Sequence, residues 1–305
     1  MIYTLTTNPS IDYYLYGEDE IHEGIIRPNK YEFIVAGKGI NVSKMLSILT
    51  EKTICVVVCG GFTGEHIASE LEKEKLLKPI IVRINENSRI NVKTRFGGKE
   101  RDFNSSGPML EELAKQELIK IFNNVKQEDY VCINGSLQLG MKDTLMTIAK
   151  NVSKKKAKLI LDVPNLTKEE IIECMPYLIK PNQDELLKLL NGEVRTDIIR
   201  QSQKEFAEKG INVFLSLGEK GSCYINKEKI IKVSCPKIDK IVNTVAAGDS
   251  LLAGYLYMIK NGKSVRDSLV FASACGSASV ASSYLPTKEL IDSLVDKVIL
   301  EEDVY

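Results

Sequence analysis

Apolar, β-branched runs recur along the chain at Met1–Thr6, Thr53–Cys59, Pro79–Ile84, Tyr130–Asn134, Lys158–Asp162, Tyr177–Lys180 and Asn212–Leu217. Each reads as a buried strand. Between them apolar residues fall at helical spacing. Ile40, Leu46 and Leu49 mark part of one such face, and Leu110, Leu113, Leu118, Ile121 and Phe122 part of another. Alternation of this kind predicts an α/β fold: a doubly wound, mostly parallel sheet flanked by helices on both faces. Ligands in such sheets gather beyond the carboxyl ends of the strands.

Two stretches depart from the alternation. Segment 11–35 holds no convincing helix, and segment 89–104 reads as strand and turn around Gly97-Gly98. Both are polar and alternate weakly, so they read as a small β-rich lid; the alternative is a pair of long surface loops. A hairpin at Ser222–Ser234, turning at Asn226-Lys227, is expected to extend the main sheet. The last third reads as helices over Ser250–Lys260, Val265–Ser282 and Thr287–Leu300. With no repeat, linker or low-complexity tract, residues 1–305 are expected to form a single α/β domain with its lid.

Charge and composition narrow the partners. Lys+Arg and Asp+Glu both number 41, so nothing favours nucleic acid or an anionic membrane, and any phosphate must be held by a local site. No run approaches the roughly 18 apolar residues of a membrane span, and Asn8, Pro9, Ser10 and Asp12 interrupt the first apolar run, so it does not read as a signal peptide. Seven cysteines stand scattered with no C-x-x-C pair, which predicts buried reduced thiols and a cytoplasmic protein. Cys55 and Cys59 share one strand face. The two histidines, His22 and His66, have no neighbour at metal-ligand spacing, so a base for proton chemistry is expected to be a carboxylate.

Four segments carry candidate chemistry. Asn243 to Ser250 runs through the small residues Ala246, Ala247 and Gly248 to Asp249 and opens a helix. Orphan N–H groups and the helix dipole make an anion site there. A carboxylate beside it suits proton abstraction from a hydroxyl that receives a phosphoryl group; the alternative is a carboxylate in the first turn of an ordinary helix. Gly37-Lys38-Gly39-Ile40-Asn41-Val42 also enters a helix. It lacks the third glycine of a dinucleotide fingerprint and reads as the entry point of a polar ligand. Gly262-Lys263-Ser264 imitates the end of a P-loop, but Tyr257 stands at its first glycine. Lys180-Pro181-Asn182 runs on to Glu185; Asn182 and Glu185, three apart, could hold water around Mg²⁺ or form a capping box. Ser216 to Gly221, with Gly218 and Lys220, ends a strand where a nucleotide could approach the backbone.

With Thr7 to Asp12 and Gly135-Ser136-Leu137, these segments occur in order along essentially the whole chain. Together they resemble the ribokinase-like carbohydrate kinases, within them the 1-phosphofructokinase and tagatose-6-phosphate kinase branch. The resemblance implies an ATP- and Mg²⁺-dependent kinase acting on a ketohexose monophosphate, with a lid that closes over the sugar and allows a homodimer through it. It makes Asp249 the catalytic base and the N–H groups of Ala246, Ala247 and Gly248 the hole for the γ-phosphate. Asp12 and Asn41, beside Gly37 and Gly39, would hold sugar hydroxyls. Lys38, Arg89 and Lys93 would clamp the existing phosphate, with Ser136 assisting. Glu185 would order the water shell of the metal, and Lys180, Asn182, Ser216, Gly218, Lys220 and Gly221 would line the nucleotide.

Three positions depart from the family pattern: Ala36 and Ala246 where glycine is usual, and Gln138 after Gly135-Ser136-Leu137 where proline is common. The methyl groups are tolerable if φ stays negative. Ile40 and Ile11-Asp12-Tyr13 look more like fructose-1-phosphate enzymes than tagatose-6-phosphate enzymes. A sugar-phosphate sensor on the same fold is the rival of another class, and Asp249 argues against it.

Overall fold

The computed structural model describes residues 1–18, 24–190 and 197–304. Strand β1 (Ile2–Thr6) is followed by the hairpin β2 (Ser10–Gly17) and β3 (Lys30–Ala36). Helix α1 (Lys38–Ile48), β4 (Thr53–Gly60), α2 (Gly61–Glu72) and β5 (Leu77–Ile84) return the chain to the large sheet. A second hairpin, β6 (Arg89–Phe96) and β7 (Lys99–Phe103), leaves it again. Then come α3 (Glu112–Phe122), β8 (Tyr130–Asn134), α4 (Lys142–Lys154), β9 (Lys158–Asp162), α5 (Lys168–Cys174), β10 (Leu178–Ile179), α6 (Gln183–Leu189) and α7 (Ile198–Glu205). The chain closes with β11 (Asn212–Ser216), β12 (Ser222–Ile225), β13 (Lys229–Val233), α8 (Ala247–Lys260), α9 (Val265–Val280), α10 (Lys288–Val295) and β14 (Leu300–Val304).

The ten-stranded sheet has the order β14-β13-β12-β11-β10-β9-β8-β1-β4-β5. It is parallel from β5 to β11, and the β12–β14 edge is antiparallel. Strand alternation divides its core. Val131, Ile133, Leu159 and Leu161 pack on one face, and Tyr130, Cys132 and Ile160 on the other. Each such buried aliphatic side chain contributes roughly 1.5–3 kcal/mol. The chain runs from β1 outward to β4 and β5, then crosses to β8 and proceeds the other way. This reversal beside β1 is the switch point where a cleft opens.

A second sheet of four strands, β3-β2-β6-β7, stands apart from the first, as the two exceptional stretches predict. Its root is anchored by Ile11 and Val35, which join Ile40, Cys55, Val57 and Cys59 in one apolar cluster. Residues 19–23 of the first lid stretch, with His22, lie outside the described residues. All seven cysteines are free and six are buried. Among the described residues no helix is long and apolar enough to cross a membrane.

Three readings of the pattern need correction. The final segment is not helical to Leu300: α10 stops at Val295, and Leu300–Val304 forms the edge strand β14. Its acidic sequence masks it, yet Glu301 faces Lys232 across the ladder, and charged edges are common where a sheet ends in water. Leu113 is 78% exposed; α3 buries Ala114, Leu118 and Phe122 instead. Strand β10 shrinks to Leu178–Ile179 because Lys180 already turns into the site.

Candidate active site

The cleft is built at the carboxyl ends of β1, β8, β9 and β10. Helix α1 begins directly beyond Gly37 without a side-chain cap of its own. The Thr6 hydroxyl, at the end of β1, accepts the Ile40 N–H at 3.1 Å instead. The helix therefore lies tight against the strand: a Cβ on Gly37 would stand 2.6 Å from Thr6 Cγ2, and one on Gly39 2.6 Å from Thr6 Oγ1. Packing explains both glycines, and Lys38 is the residue between them left for chemistry.

Asp249 lies in the first turn of α8 with 5% of its surface exposed. Its Oδ2 accepts a hydrogen bond from Asn41 Nδ2 at 2.7 Å. The Asn41 carbonyl in turn accepts from the Tyr284 hydroxyl at 2.5 Å. Asp162, at the end of β9, holds two lysines: Lys38 Nζ at 3.1 Å and Lys180 Nζ at 3.4 Å. Burial pushes the Asp249 carboxyl up to about 6, and the Asp162 charge adds to the rise; the Asn41 hydrogen bond, Lys180 and Lys38 oppose it. A base of that strength is matched to a near-neutral solution. Burial alone would lower the Lys38 ammonium, but Asp162 and Asp249 hold it above its ordinary value.

The anion loop precedes α8. Asn243 Oδ1 accepts the Val245 N–H at 2.9 Å, and Asn243 Nδ2 donates to Ser283 O at 2.8 Å. Val242 and Asn243 N–H groups both donate to Val280 O at the end of α9. The N–H groups of Gly248 and Asp249 find no acceptor among the described residues. Orphan donors at a helix start suit an anion. A Cβ on Gly248 would lie 3.3 Å from Lys180 Nζ, so that lysine stands beside the same loop. Ala246 has φ 63. The condition of negative φ is therefore not met there, and the left-handed backbone costs this alanine roughly 1–2 kcal/mol. Ala36 is ordinary strand.

A separate group sits on the small sheet. Asp12 Oδ1 accepts from Ser10 Oγ at 2.7 Å and from Asn91 Nδ2 at 2.8 Å, which leaves Oδ2 open to a ligand. Arg89 donates to the carbonyls of Asn8 and Ser105 at 3.2 and 3.1 Å. Lys93 is taken up by Asp102 at 2.9 Å and Asn104 at 3.2 Å. The three cations of the expected clamp are thus not together: Arg89 and Lys93 belong to β6, and Lys38 to the Asp162 network. Ser136 is exposed beside Gly135, whose Cβ position faces Lys38.

Asn182 and Glu185 form the capping box in full. Asn182 Oδ1 accepts the Glu185 N–H at 2.8 Å, and Glu185 Oε2 accepts the Asn182 N–H at 2.9 Å. Only Oε2 is committed, so the water-ordering role stays open beside the cap. A cavity of about 370 Å³ opens along Asn165, Thr167, Lys168, Lys180 and Glu185. Ser216 Oγ reaches Pro181 O at 3.5 Å, and Gly218, Lys220 and Gly221 form the tight turn into β12. Gly221 is required there because a Cβ would meet Val233 O at 2.0 Å.

Residues 6–289 match the sequence pattern of the pfkB family carbohydrate kinases. The chain belongs to that family. It is 31% identical to a 1-phosphofructokinase of Borreliella burgdorferi, covering 100% of this chain and 99% of that one. It is also 31% identical to a D-tagatose-1-phosphate kinase of Bacillus licheniformis, covering 98% of both. Phosphofructokinase-2 of Escherichia coli, solved in complex with fructose-6-phosphate, superposes with a TM-score of 0.88 at 26% identity, covering 97% of this chain and 98% of that one. The fold class and the family expected from the motifs are therefore met.

Sequence reasoning missed Asp162, Asn91 and Tyr284. Asp162 carried a signal, a carboxylate closing an apolar strand at its ligand-facing end. Asn91 carried a fainter one, since Arg89, Asn91 and Lys93 alternate onto one face of β6. Tyr284 carried none.

Proposed function

We propose that this kinase transfers the γ-phosphoryl group of ATP to a free primary hydroxyl of a ketohexose monophosphate, with fructose 1-phosphate as the preferred acceptor and fructose 1,6-bisphosphate as product. The observation that carries the reading is Asp249: a buried carboxylate with a pKa of about 6 beside orphan N–H donors. A binding protein gains nothing from a carboxylate placed against a phosphate.

In this reading Asp249 takes the proton of the attacking hydroxyl, the O6 hydroxyl in fructose 1-phosphate. The N–H groups of Ala246 and Gly248 receive the charge on the transferring group, with Lys38 and Lys180 flanking it, while the Ala247 N–H expected beside them donates instead to Thr244 O at 3.5 Å. Asp12, oriented by Ser10 and Asn91, holds sugar hydroxyls, assisted by Asn41. Arg89 and Lys93 attract the existing phosphate, with Ser136 near the cleft mouth. Lys180, Asn182 and the Ser216–Gly221 turn line the nucleotide. Among the described residues no three His, Cys, Asp or Glu side chains form a metal cage, which fits an ion carried on the phosphates. Glu185 would order the waters of such a Mg²⁺, whose chemistry is to neutralise phosphate charge.

The preference for a 1-phosphate rests on the relatives. Ile11 and Ile40 are both buried in the core, and the Tyr13 ring stacks on Phe33 with centroids 4.5 Å apart. Tagatose 6-phosphate remains the alternative acceptor. The exposed lid face, with Phe33 at 56% and Phe103 at 58%, suits a second copy of the lid and hence a homodimer.

The test is ADP release with ATP and Mg²⁺ on fructose 1-phosphate, tagatose 1-phosphate, tagatose 6-phosphate, fructose 6-phosphate and free fructose. A kcat/KM for fructose 1-phosphate about tenfold above the rest is expected. Faster turnover of tagatose 6-phosphate would move the assignment to that sugar, and silence on all five would revive the sensor.

A further inference from the structure

Tyr284 lies in the short connection between α9 and α10, among no recognised motif. That connection is fixed: Asn243 Nδ2 donates to Ser283 O at 2.8 Å, and Ser279 Oγ donates to Tyr284 O at 3.3 Å. Lys44 Nζ stands 5.6 Å from the Tyr284 ring centroid. The phenol thereby reaches α1 and donates to Asn41 Oδ1, while Asn41 Nδ2 donates to Asp249 Oδ2 at 2.7 Å.

A primary amide has one accepting end and one donating end. With its oxygen occupied by the phenol, Asn41 can offer only its NH₂ to Asp249. Turned by half a rotation, the amide would set its oxygen against the carboxylate, which repels the ionised form and welcomes the protonated one. We propose that Tyr284 is a positioning residue for phosphoryl transfer: its phenol locks the Asn41 amide in the orientation that keeps Asp249 ionised and ready to accept a proton.

This inference rests on reading Asp249 as the base. The groups facing Asp249 are Lys38 and Asn41 from α1, Asp162 from β9 and Lys180 after β10. Those around the phenol are Asp249, Asp12 and Tyr14 of β2, and Glu74 beyond α2. Burial first, then Asp249 and Asp12, push the phenol far above its ordinary value, so it stays a donor at every working pH.

Tyr284→Phe removes the donor and keeps the ring. The acid limb of its kcat–pH profile is expected to move up by about one unit, so kcat falls severalfold at pH 6 and little at pH 8. The KM for the sugar phosphate should change much less than kcat does at pH 6, since Asn41 keeps its place beside the sugar. In the substrate-free protein, ¹³C spectra of labelled Asp, with the Asp249 signal assigned by its loss in Asp249→Asn, should show the same upward shift. Adding Tyr284→Phe to Asn41→Ala should move the limb no further, because the phenol then has nothing to act through. An unmoved carboxyl titration, a rise in KM alone, or an equal effect in the Asn41→Ala background would each overturn the proposal. Full activity in Asp249→Asn would instead overturn the base assignment on which it stands.

Discussion

The transfer end of the cleft and its lid end both pair cations with carboxylates, but the carboxylate that holds the cations is buried at one end and half-exposed at the other. At the transfer end, Lys38, Lys180, Asp162 and Asp249 arrive from α1, the turn after β10, β9 and α8, and the Asp162 side chain is only 1% exposed. At the lid end, Asp12, Asn91, Lys93 and Asp102 all come from one four-stranded sheet, whose strand β7 is exposed along its whole length. Coulomb interactions reach further where water is excluded. So Asp162 raises Asp249 across the buried network, while the exposed Asp102 opens its pairs with Lys93 and Arg95 to solvent and salt. The proposed base sits in the first turn of α8 beside the large sheet, and the residues proposed for recognition sit on the small sheet.

The largest effect that would test this division is in the rate. Asp249→Ala is expected to lower kcat by roughly 10²–10⁴ while sugar-phosphate binding stays nearly intact. Calorimetric titration of the variant checks it, and an equal loss in binding and rate would erase the distinction between the two ends.

Next comes stability. The Asp249 carboxyl has an ordinary value of 3.8 and titrates at about 6 in the fold. Between those values the folded protein holds a proton that the unfolded chain has released, so stability falls as pH rises through that window and stays lower above it. Asp249→Asn removes the penalty and should raise unfolding stability at pH 8 by on the order of 2 kcal/mol. Urea unfolding at pH 8 and pH 4 reads the difference, which should shrink to a small fraction of that value at the lower pH.

A smaller and sharper comparison sets Lys38→Ala against Arg89→Ala. The first should lower kcat about tenfold with little change in KM, and the second should raise KM about tenfold for phosphorylated sugars only. Steady-state kinetics on a sugar phosphate and its free sugar decides it; a KM effect from Lys38 would return that lysine to the phosphate clamp. Smallest of all, Asp162→Asn removes a charge that raises Asp249, so the acid limb of kcat should move down by about half a unit. A limb that moves up, or stays, would show that the buried charges are not coupled.

Much of this was legible in the chain. The period-two and helical patterns gave the parallel sheet and the helix over Ser250–Lys260, and the two stretches where they fail gave the small sheet, because apolar spacing follows directly from strand and helix geometry. The ordered motifs pointed to the family and to Asp249. The edge strand β14 was illegible because its stability comes from pairing with β13, not from its own acidic residues. Ala246 was legible as a departure, but its left-handed backbone was not, since only the turn held by Asn243 and Val280 imposes it.

The sequence by itself determined which residue types stand at the carboxyl ends of the strands, because local spacing and turn chemistry act over a few residues. The tertiary structure alone decided which of them meet. Asn41 joins Asp249 across 208 positions and Tyr284 joins Asn41 across 243. Contacts at such separation depend on the packing of α8 against α1 and of α9 against α8, and hydrogen-bond partners within a buried cleft are set by that packing, which no local pattern records.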